Sequence, residues 1–298
     1  MNSSIVPKVS IGMPVYNGEK YIRKALDSLL EQTFTDFELI ISDNASTDRT
    51  QEICLQYTCR DSRVRYFRNE ENIGAARNFN RLVELSSGEF FMWAGDHDMW
   101  DRAFISRCME VLTRNMTAAL CYSRVMIIGP EDEVLGLSPT NLDTSNLEDP
   151  SERFRKTIRE VRFCEMIYGL IRSSALRQTS VMETVISPDY LLIAELSLKG
   201  SFVQIPEVLF YTRRNRLGES QKEAEQRQIE FMWPGRKKFL FAHVILQYMT
   251  LMLRQLNLVR TTSLSFGAKI WLMADTVCFF VKRARLLERF GNVILKRS

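Results

Sequence analysis

The first hundred residues alternate short apolar runs with stretches of helical spacing. Val9-Ser10-Ile11-Gly12-Met13 is an apolar run ended by Pro14 and an Asn17-Gly18 turn, which reads as a strand. From Tyr21 to Gln32 the apolar Ile22, Ala25, Leu26, Leu29 and Leu30 recur at the period of a helix. Phe37 to Ile41 is a second strand, closed by a Ser/Asp/Asn cluster in which Ser46, Thr47 or Asp48 caps a helix from about Arg49 to Tyr57. Val64 to Phe67, Ala75 to Leu85 and Phe90 to Trp93 continue as strand, helix and strand, the last running straight into Asp96 and Asp98. Alternation of this kind predicts an α/β fold with right-handed crossovers and a mostly parallel sheet. The polar clusters after the strands, 14–19, 42–48 and 95–98, should then gather at one sheet edge, where open α/β sheets bind ligands.

Composition permits an enzyme without specifying one. With 298 residues, 45% hydrophobic and 26% charged, the chain is ample for one large domain plus an appendage and is not disordered. The net charge of +4 is modest but unevenly placed: Arg236-Lys237-Lys238, Lys282-Arg283-Ala284-Arg285 and Lys296-Arg297 all fall in the last quarter, which suggests an anionic surface as partner. Six cysteines (54, 59, 108, 121, 164, 278) contain no C-x-x-C pair and only two histidines accompany them, so they read as reduced core residues. Eight residues before Val9 are too few for a signal peptide; the expectation is a cytoplasmic catalytic domain, peripheral on the cytoplasmic face of a membrane.

Candidate chemistry lies in the three clusters. Asp96 and Asp98, two apart with no cysteine nearby, favour a hard divalent ion, Mn²⁺ or Mg²⁺, completed by water and substrate phosphate oxygens, and so predict a diphosphate ligand. The alternative is a solvated loop in which one of them caps a helix starting near Arg102. Tyr16 would lay its ring on a base or be an ordinary loop tyrosine. Asp43 and Asn44 would read a base edge or a ribose hydroxyl, or simply form a turn. Each signal is weak alone; their joint order is much less likely by chance.

These residues strongly resemble the family 2 inverting glycosyltransferases, which have the A-type glycosyltransferase fold and use nucleotide-diphosphate sugars. Val9 to Asn17 looks like the family's opening strand, Ile41-Ser42-Asp43-Asn44-Ala45-Ser46-Thr47-Asp48 like its D-D/N-x-S-x-D turn, Asn72-Ile73-Gly74-Ala75-Ala76-Arg77-Asn78 like its N-x-G-x-x-x-A/R-N segment, and Trp93 to Trp100 like its metal-binding segment. The resemblance implies a nucleotide-sugar site from Pro14, Tyr16, Asn17, Glu19, Asp43, Asn44, Arg77, Asp96 and Arg213. Tyr16 would stack on the base, Asp43 read its polar edge, Arg77 lie near the nucleotide, and Asp98 with Asp96 hold the metal. Relatives often carry adjacent aspartates before the apolar-Trp pair. Here His97 stands where one of them would be, which makes Asp98 the safer ligand and His97 a hydrogen-bonding neighbour.

In the second half, Tyr168 to Leu176 resembles the segment before the acceptor-side helix, and Ser187-Pro188-Asp189-Tyr190 opens a helix reaching about Lys199. The resemblance implies that Asp189 is the catalytic base; the plain alternative is a first-turn carboxylate complementing the helix dipole. Glu195 falls too far along that helix to share the role. Val208 to Arg214 looks like a closing Tyr-x-Arg segment, from which Arg213 or Arg214 would neutralise diphosphate charge or form a solvated surface pair. The reading is thus a catalytic domain over 1–218, with nucleotide-sugar binding over about 8–125 and acceptor side and base over 150–214, followed by a helical region over 219–298.

That last region lies outside the resemblance. Phe239 to Leu253 and Leu264 to Val281 are apolar but short or interrupted for spanning a bilayer. They read as two interfacial or re-entrant helices with basic flanks on an anionic membrane, or as a helical pair packed on the catalytic domain or forming a dimer. Membrane attachment would suit a glycan or lipid-linked acceptor in cell-surface polysaccharide or glycolipid synthesis. Two rival classes are a nucleotidyltransferase, which should show an early Gly-rich phosphate loop that Gly12 and Gly18 do not form, and a catalytically inactive membrane adaptor, which leaves the ordered aspartates unexplained. Nothing resembles a nucleic-acid module.

Overall fold

The protein was analysed as a computed structural model that describes residues 6–185, 187–214 and 241–295, with the side chains of the C-terminal helices described over 249–281. The expected alternation is present as β1 (Val9–Val15), α1 (Ile22–Leu30), β2 (Phe37–Asp43), α2 (Thr50–Arg60), β3 (Val64–Arg68), α3 (Ala75–Leu85) and β4 (Phe90–Trp93). Strands β1, β2 and β4 are buried almost throughout, as central parallel strands covered on both faces must be. After them come β5 (Met99–Trp100), α4 (Phe104–Arg114), β6 (Ala118–Ile128), β7 (Val134–Leu137), α5 (Pro150–Glu160), a 3₁₀ turn (Glu165–Tyr168), β8 (Leu170–Arg172), α6 (Ser173–Leu176), α7 (Pro188–Lys199) and β9 (Ser201–Arg213).

All nine strands join one sheet in the order β3-β2-β1-β4-β8-β6-β9-β5, with β7 paired to β6. The β3-β2-β1-β4 half is wholly parallel. In the other half β6 and β9 run parallel while β8, β5 and β7 pair antiparallel with their neighbours. Register sets the crevice. Val15 lies opposite Asp43, and the β1–β4 ladder ends at Gly12 opposite Trp93. Gly12 O accepts from Ala94 N at 2.9 Å, so the nitrogen of Pro14, two residues on, falls on the side where β4 has already ended. A proline is tolerated there because no ladder bond is lost.

Alternation along the strands divides the core into two layers. Val9, Ile11 and Met13 of β1, with Phe90 and Met92 of β4, face α1, α2 and α4; Phe91 and Trp93, with Ile40, face α3 and α7. Each fully buried aliphatic or aromatic side chain contributes about 1.5–3 kcal/mol. Helix α7 is buried on nearly every side from Tyr190 to Ser197. Its Leu192, Ile193 and Leu196 meet the sheet, and its Leu191 and Ala194 meet the C-terminal helices. A helix apolar all round has to be covered all round.

Helices α8 (Phe241–Thr261) and α9 (Phe266–Leu295) provide that cover. Val259 and Leu272 pack with Phe154, Ile158 and Ala194, while Leu251 and Phe280 pack with Val185 and Leu191. The pair is therefore an antiparallel hairpin lying on α5 and α7. Asp275 of α9 is ion-paired to Arg155 and Arg159 of α5. Among the described residues no helix is long and apolar enough to cross a membrane. The anticipated domain boundary at 218/219, the cluster Arg236-Lys237-Lys238 and the start of the first apolar run at Phe239 lie outside the described residues.

Candidate active site

The crevice begins where the β1–α1 and β2–α2 loops lock together. Asn17 N donates to Ser46 Oγ at 2.9 Å and Asn17 Oδ1 accepts from Thr47 N at 2.8 Å. Gly18 N donates to Thr50 Oγ1, Glu19 N to Asp48 Oδ2, and Arg49 N to Glu19 Oε2. Asn17 sits at φ 54°, in the left-handed region that asparagine tolerates. Asn17 and Glu19, expected to touch the donor, are thus loop latches. Tyr16 is different: it is 47% exposed at the end of β1, an uncommitted aromatic face at the rim. Arg77, in the first turn of α3, is likewise exposed.

Asp43 and Asn44 face inward rather than toward a base. Asp43 is fully buried, and its carboxylate accepts from Ser46 N at 2.8 Å, Tyr66 Oη at 2.5 Å and Arg68 Nη1 at 2.8 Å. Asn44 Oδ1 accepts from Asn69 Nδ2 and Ile73 N, and its Nδ2 donates to Asn72 Oδ1. With every polar atom of Asn44 and both oxygens of Asp43 engaged, the two residues position others in this structure. Asp43 holds Arg68, whose Nη2 also donates to Ser46 O and whose side chain remains 33% exposed. Tyr66 and Arg68 of β3 and Asn69 are site-building residues the sequence reading missed. Their signal was the register that puts β3 beside Asp43, which only the sheet order supplies.

Beyond β4, Asp96-His97-Asp98 forms the crevice floor. His97 Nδ1 lies 2.7 Å from Asp96 Oδ1 and Nε2 lies 3.8 Å from Asp98 Oδ1, so the ring bridges the two carboxylates. Burial works against a charged imidazole, but Asp98 and the hydrogen bond to Asp96 outweigh it and push His97 up to about 9. Asp98 is 1% exposed; burial raises its carboxyl, against the opposing pull of His97 and of the Arg213 N–H. Both aspartates fold back onto glycines: a Cβ at Gly18 would stand 2.5 Å from Asp96 Oδ2, and one at Gly95 would stand 2.5 Å from Asp98 Oδ2. Only residues without a side chain leave room for the carboxylates there.

Arg213 does not present its charge to the crevice. Its side chain is fully buried, with Nη2 2.5 Å from Asp132 Oδ1, Nη1 donating to Gly129 O, Nε donating to His97 O, and the guanidinium 4.5 Å from the Tyr21 ring centroid. In this structure Arg213 holds the Asp96-His97-Asp98 turn. Arg214 is exposed and lies over Phe163.

Asp189 lies on the acceptor side, at the second position of α7 after Ser187 in the left-handed region at φ 51°. Its Oδ1 accepts from Tyr190 N at 2.9 Å, and Cys164 also hydrogen-bonds the carboxylate. Desolvation raises the Asp189 carboxyl, helped by the charge of nearby Glu165 and opposed by those two donors. Glu165 is itself fixed by Ser138 and Thr140 hydroxyls. Burial, and then the charges of Asp98, Asp189, Asp96 and Glu165, raise the Tyr168 phenol well above its ordinary value. Its ring rests 5.6 Å from Phe210, which stacks on Trp100 at 5.1 Å. Glu195, as expected, stays apart, accepting from Ser180 N at 2.9 Å.

Among the described residues no group of three or more His, Cys, Asp or Glu side chains is arranged to hold a metal unaided. The hard carboxylate oxygens of Asp96 and Asp98, the latter buried with its carboxyl raised, do fit Mn²⁺ or Mg²⁺, which take one or two protein carboxylates and complete their shell with water and substrate phosphate.

Comparison with known proteins agrees with this geometry. The sequence profile described as Glycosyl transferase family 2 matches residues 10–180. The putative teichuronic acid biosynthesis glycosyltransferase TuaG of Bacillus subtilis is 33% identical over 112 residues, covering 38% of this chain and 44% of that protein. The match covers 51% and 44% of two of the curated relatives and 18% and 30% of two others. Among solved structures, S. aureus TarS 1-349 in complex with UDP-GlcNAc superposes with a TM-score of 0.64 at 17% identity, over 91% of this chain and 71% of that one. The mannosyltransferase PcManGT from Pyrobaculum calidifontis, in complex with GDP-Man and Mn2+, superposes with a TM-score of 0.54 at 14% identity, over 98% and 81%. At such identities the likeness shows the fold, an A-type glycosyltransferase fold.

Proposed function

Because the chain belongs to glycosyl transferase family 2, we propose that it is an inverting glycosyltransferase. It moves a sugar from a nucleotide-diphosphate donor to an acceptor hydroxyl of a glycan or lipid-linked precursor in cell-surface polysaccharide or glycolipid synthesis. The observation that carries the reading is the turn after β4, where the His97 ring lies 2.7 Å from Asp96 and 3.8 Å from Asp98 and the two carboxylates stand beyond the carboxyl end of the strand, the edge at which open α/β sheets bind ligands. Support for a nucleotide-sugar donor comes from the ligands of the two structural neighbours, UDP-GlcNAc and GDP-Man, and for a metal from the Mn2+ of the second.

In this mechanism the Tyr16 ring and the exposed Arg68 and Arg77 side chains receive the nucleotide at the rim. Asp96 and Asp98 would hold Mn²⁺ or Mg²⁺, which supplies Lewis-acid stabilisation to the departing diphosphate. Arg213 keeps Asp98 in place through its backbone N–H. Asp189, with its carboxyl raised by burial, takes the proton from the acceptor hydroxyl as that oxygen attacks the anomeric carbon from the face opposite the leaving diphosphate, inverting it. The experiment is release of nucleoside diphosphate from a panel of UDP-, GDP- and dTDP-sugars in the presence of Mn²⁺ and candidate acceptors. Turnover of one donor, lost in Asp189→Asn while nucleotide binding persists, supports the reading; full activity of Asp189→Asn rejects the base.

A further inference from the structure

Helix α9 carries an apolar face that none of the described residues covers. Between 266 and 281 its exposed residues are Phe266, Gly267, Ile270, Trp271, Ala274, Val277, Cys278 and Val281, without a charged side chain among them. Phe266 is 79%, Ile270 53% and Val281 43% exposed. At 100° per residue these positions occupy a single arc of about 140°, over roughly 22 Å of helix. A helix on the surface of a water-soluble domain has the opposite pattern, with its polar residues outward. Here the polar residues are inside or at the margins: Asp275 is paired to Arg155 and Arg159, Thr276 is buried, and Lys269 donates to Arg260 O. On the adjoining α8, Met249 and Leu253 are also exposed, at 51% and 59%.

We propose that this face docks the protein on an anionic lipid bilayer, with α9 lying in the interface rather than crossing it. Two features of the chain select this occupant. The helix runs from the apolar arc directly into Lys282-Arg283-Ala284-Arg285, a basic cluster complementary to anionic head groups. Pairing with a second copy leaves that cluster unanswered, because the arc contains no acidic residue to meet it. Trp271, 45% exposed at the edge of the arc with the Arg155 guanidinium 4.9 Å from its ring centroid, has the half-apolar, half-polar setting that tryptophan occupies at a head-group boundary. The same hairpin packs on α7, the helix whose second residue is Asp189, so the docking face and the acceptor side are carried by elements in contact. The surface stands on its own, independent of the chemistry assigned to the crevice.

The test is co-sedimentation of the full chain with vesicles of phosphatidylcholine alone and of phosphatidylcholine with about one third phosphatidylglycerol. The expected result is binding to the anionic vesicles, weakened by salt, with the affinity of Ile270→Asp/Val277→Asp reduced at least about tenfold at unchanged melting temperature. Tryptophan fluorescence quenched by brominated lipid in the wild type and not in Trp271→Phe places the face at the bilayer. Absence of binding to either vesicle, or equal binding by the double variant, overturns the proposal, as does a double variant that turns a dimer into a monomer without any vesicle binding by the wild type. Nucleoside-diphosphate stabilisation measured on the same samples keeps the two claims apart: vesicle binding without a nucleotide response would reject the donor site alone, and the reverse would reject the docking face alone.

Discussion

The backbone N–H of Arg213 donates to Asp98 Oδ1 at 2.8 Å, joining the turn after β4 to the end of a strand 115 residues later. The Arg213 guanidinium secures the same turn through His97 O and is neutralised by Asp132. Arg213→Ala removes a buried cation from among carbonyls and a carboxylate. It should lower stability by about 3 kcal/mol and weaken metal-dependent donor binding together, measured by denaturant unfolding and nucleotide titration. Weakened donor binding at unchanged stability would instead mean that Arg213 touches the diphosphate.

Asp189→Asn should reduce turnover by about 10²- to 10⁴-fold with nucleoside-diphosphate affinity retained. The pH profile adds a second check. The Asp189 carboxyl is raised by burial, so the base is protonated and lost as pH falls through a value above the ordinary carboxylate range, and activity should decline on the acid side there. The ionised form is the one burial penalises, so at neutral pH Asp189 costs stability, a cost that fades as pH falls. Asp189→Asn should therefore unfold at the wild-type temperature or above it at pH 7, in a thermal scan.

Tyr168→Phe removes a hydroxyl whose titration is raised by burial and by the charges of Asp98, Asp189, Asp96 and Glu165, while keeping the ring on Phe210. The expected outcome is about a tenfold fall in kcat with melting temperature held, read from steady-state kinetics; a general-acid or positioning role in proton transfer has this order of effect. Unchanged kcat would reduce Tyr168 to a packing residue.

Asn44→Ala leaves Ile73 N, Asn69 and Asn72 without their partners in a site 4% exposed. It should destabilise by about 1–3 kcal/mol, measured by urea unfolding. A loss of nucleotide affinity at wild-type stability would restore the direct readout that the geometry argues against.

Local pattern was enough for the first half of the fold. Phe90 to Trp93 and Ala75 to Leu85 are bounded in the structure as the apolar periodicity placed them, and α7 starts at Pro188, because proline at a first helical position and a strand running into aspartates are signals written in adjacent residues. What the sequence left open depends on partners far along the chain. Asp43 reads as a ligand residue until β3 is known to place Tyr66 and Arg68 against it. Arg213 reads as a free cation until β9 is seen to pair beside β6 and reach Gly129. The C-terminal apolar runs show two readings in sequence because both apply to different faces: one face packs on α5 and α7, the other is exposed.

The central claim is a metal-dependent nucleotide-sugar site built on Asp96 and Asp98. It is tested most directly by thermal stabilisation of the purified protein against UDP, GDP and dTDP and their sugars, with Mn²⁺, Mg²⁺ or chelator, for wild type and Asp98→Ala. The account predicts stabilisation by one nucleotide class, present with the ion, absent with chelator and abolished in Asp98→Ala. Equal stabilisation of Asp98→Ala, or no response to any nucleotide in either protein, would contradict it.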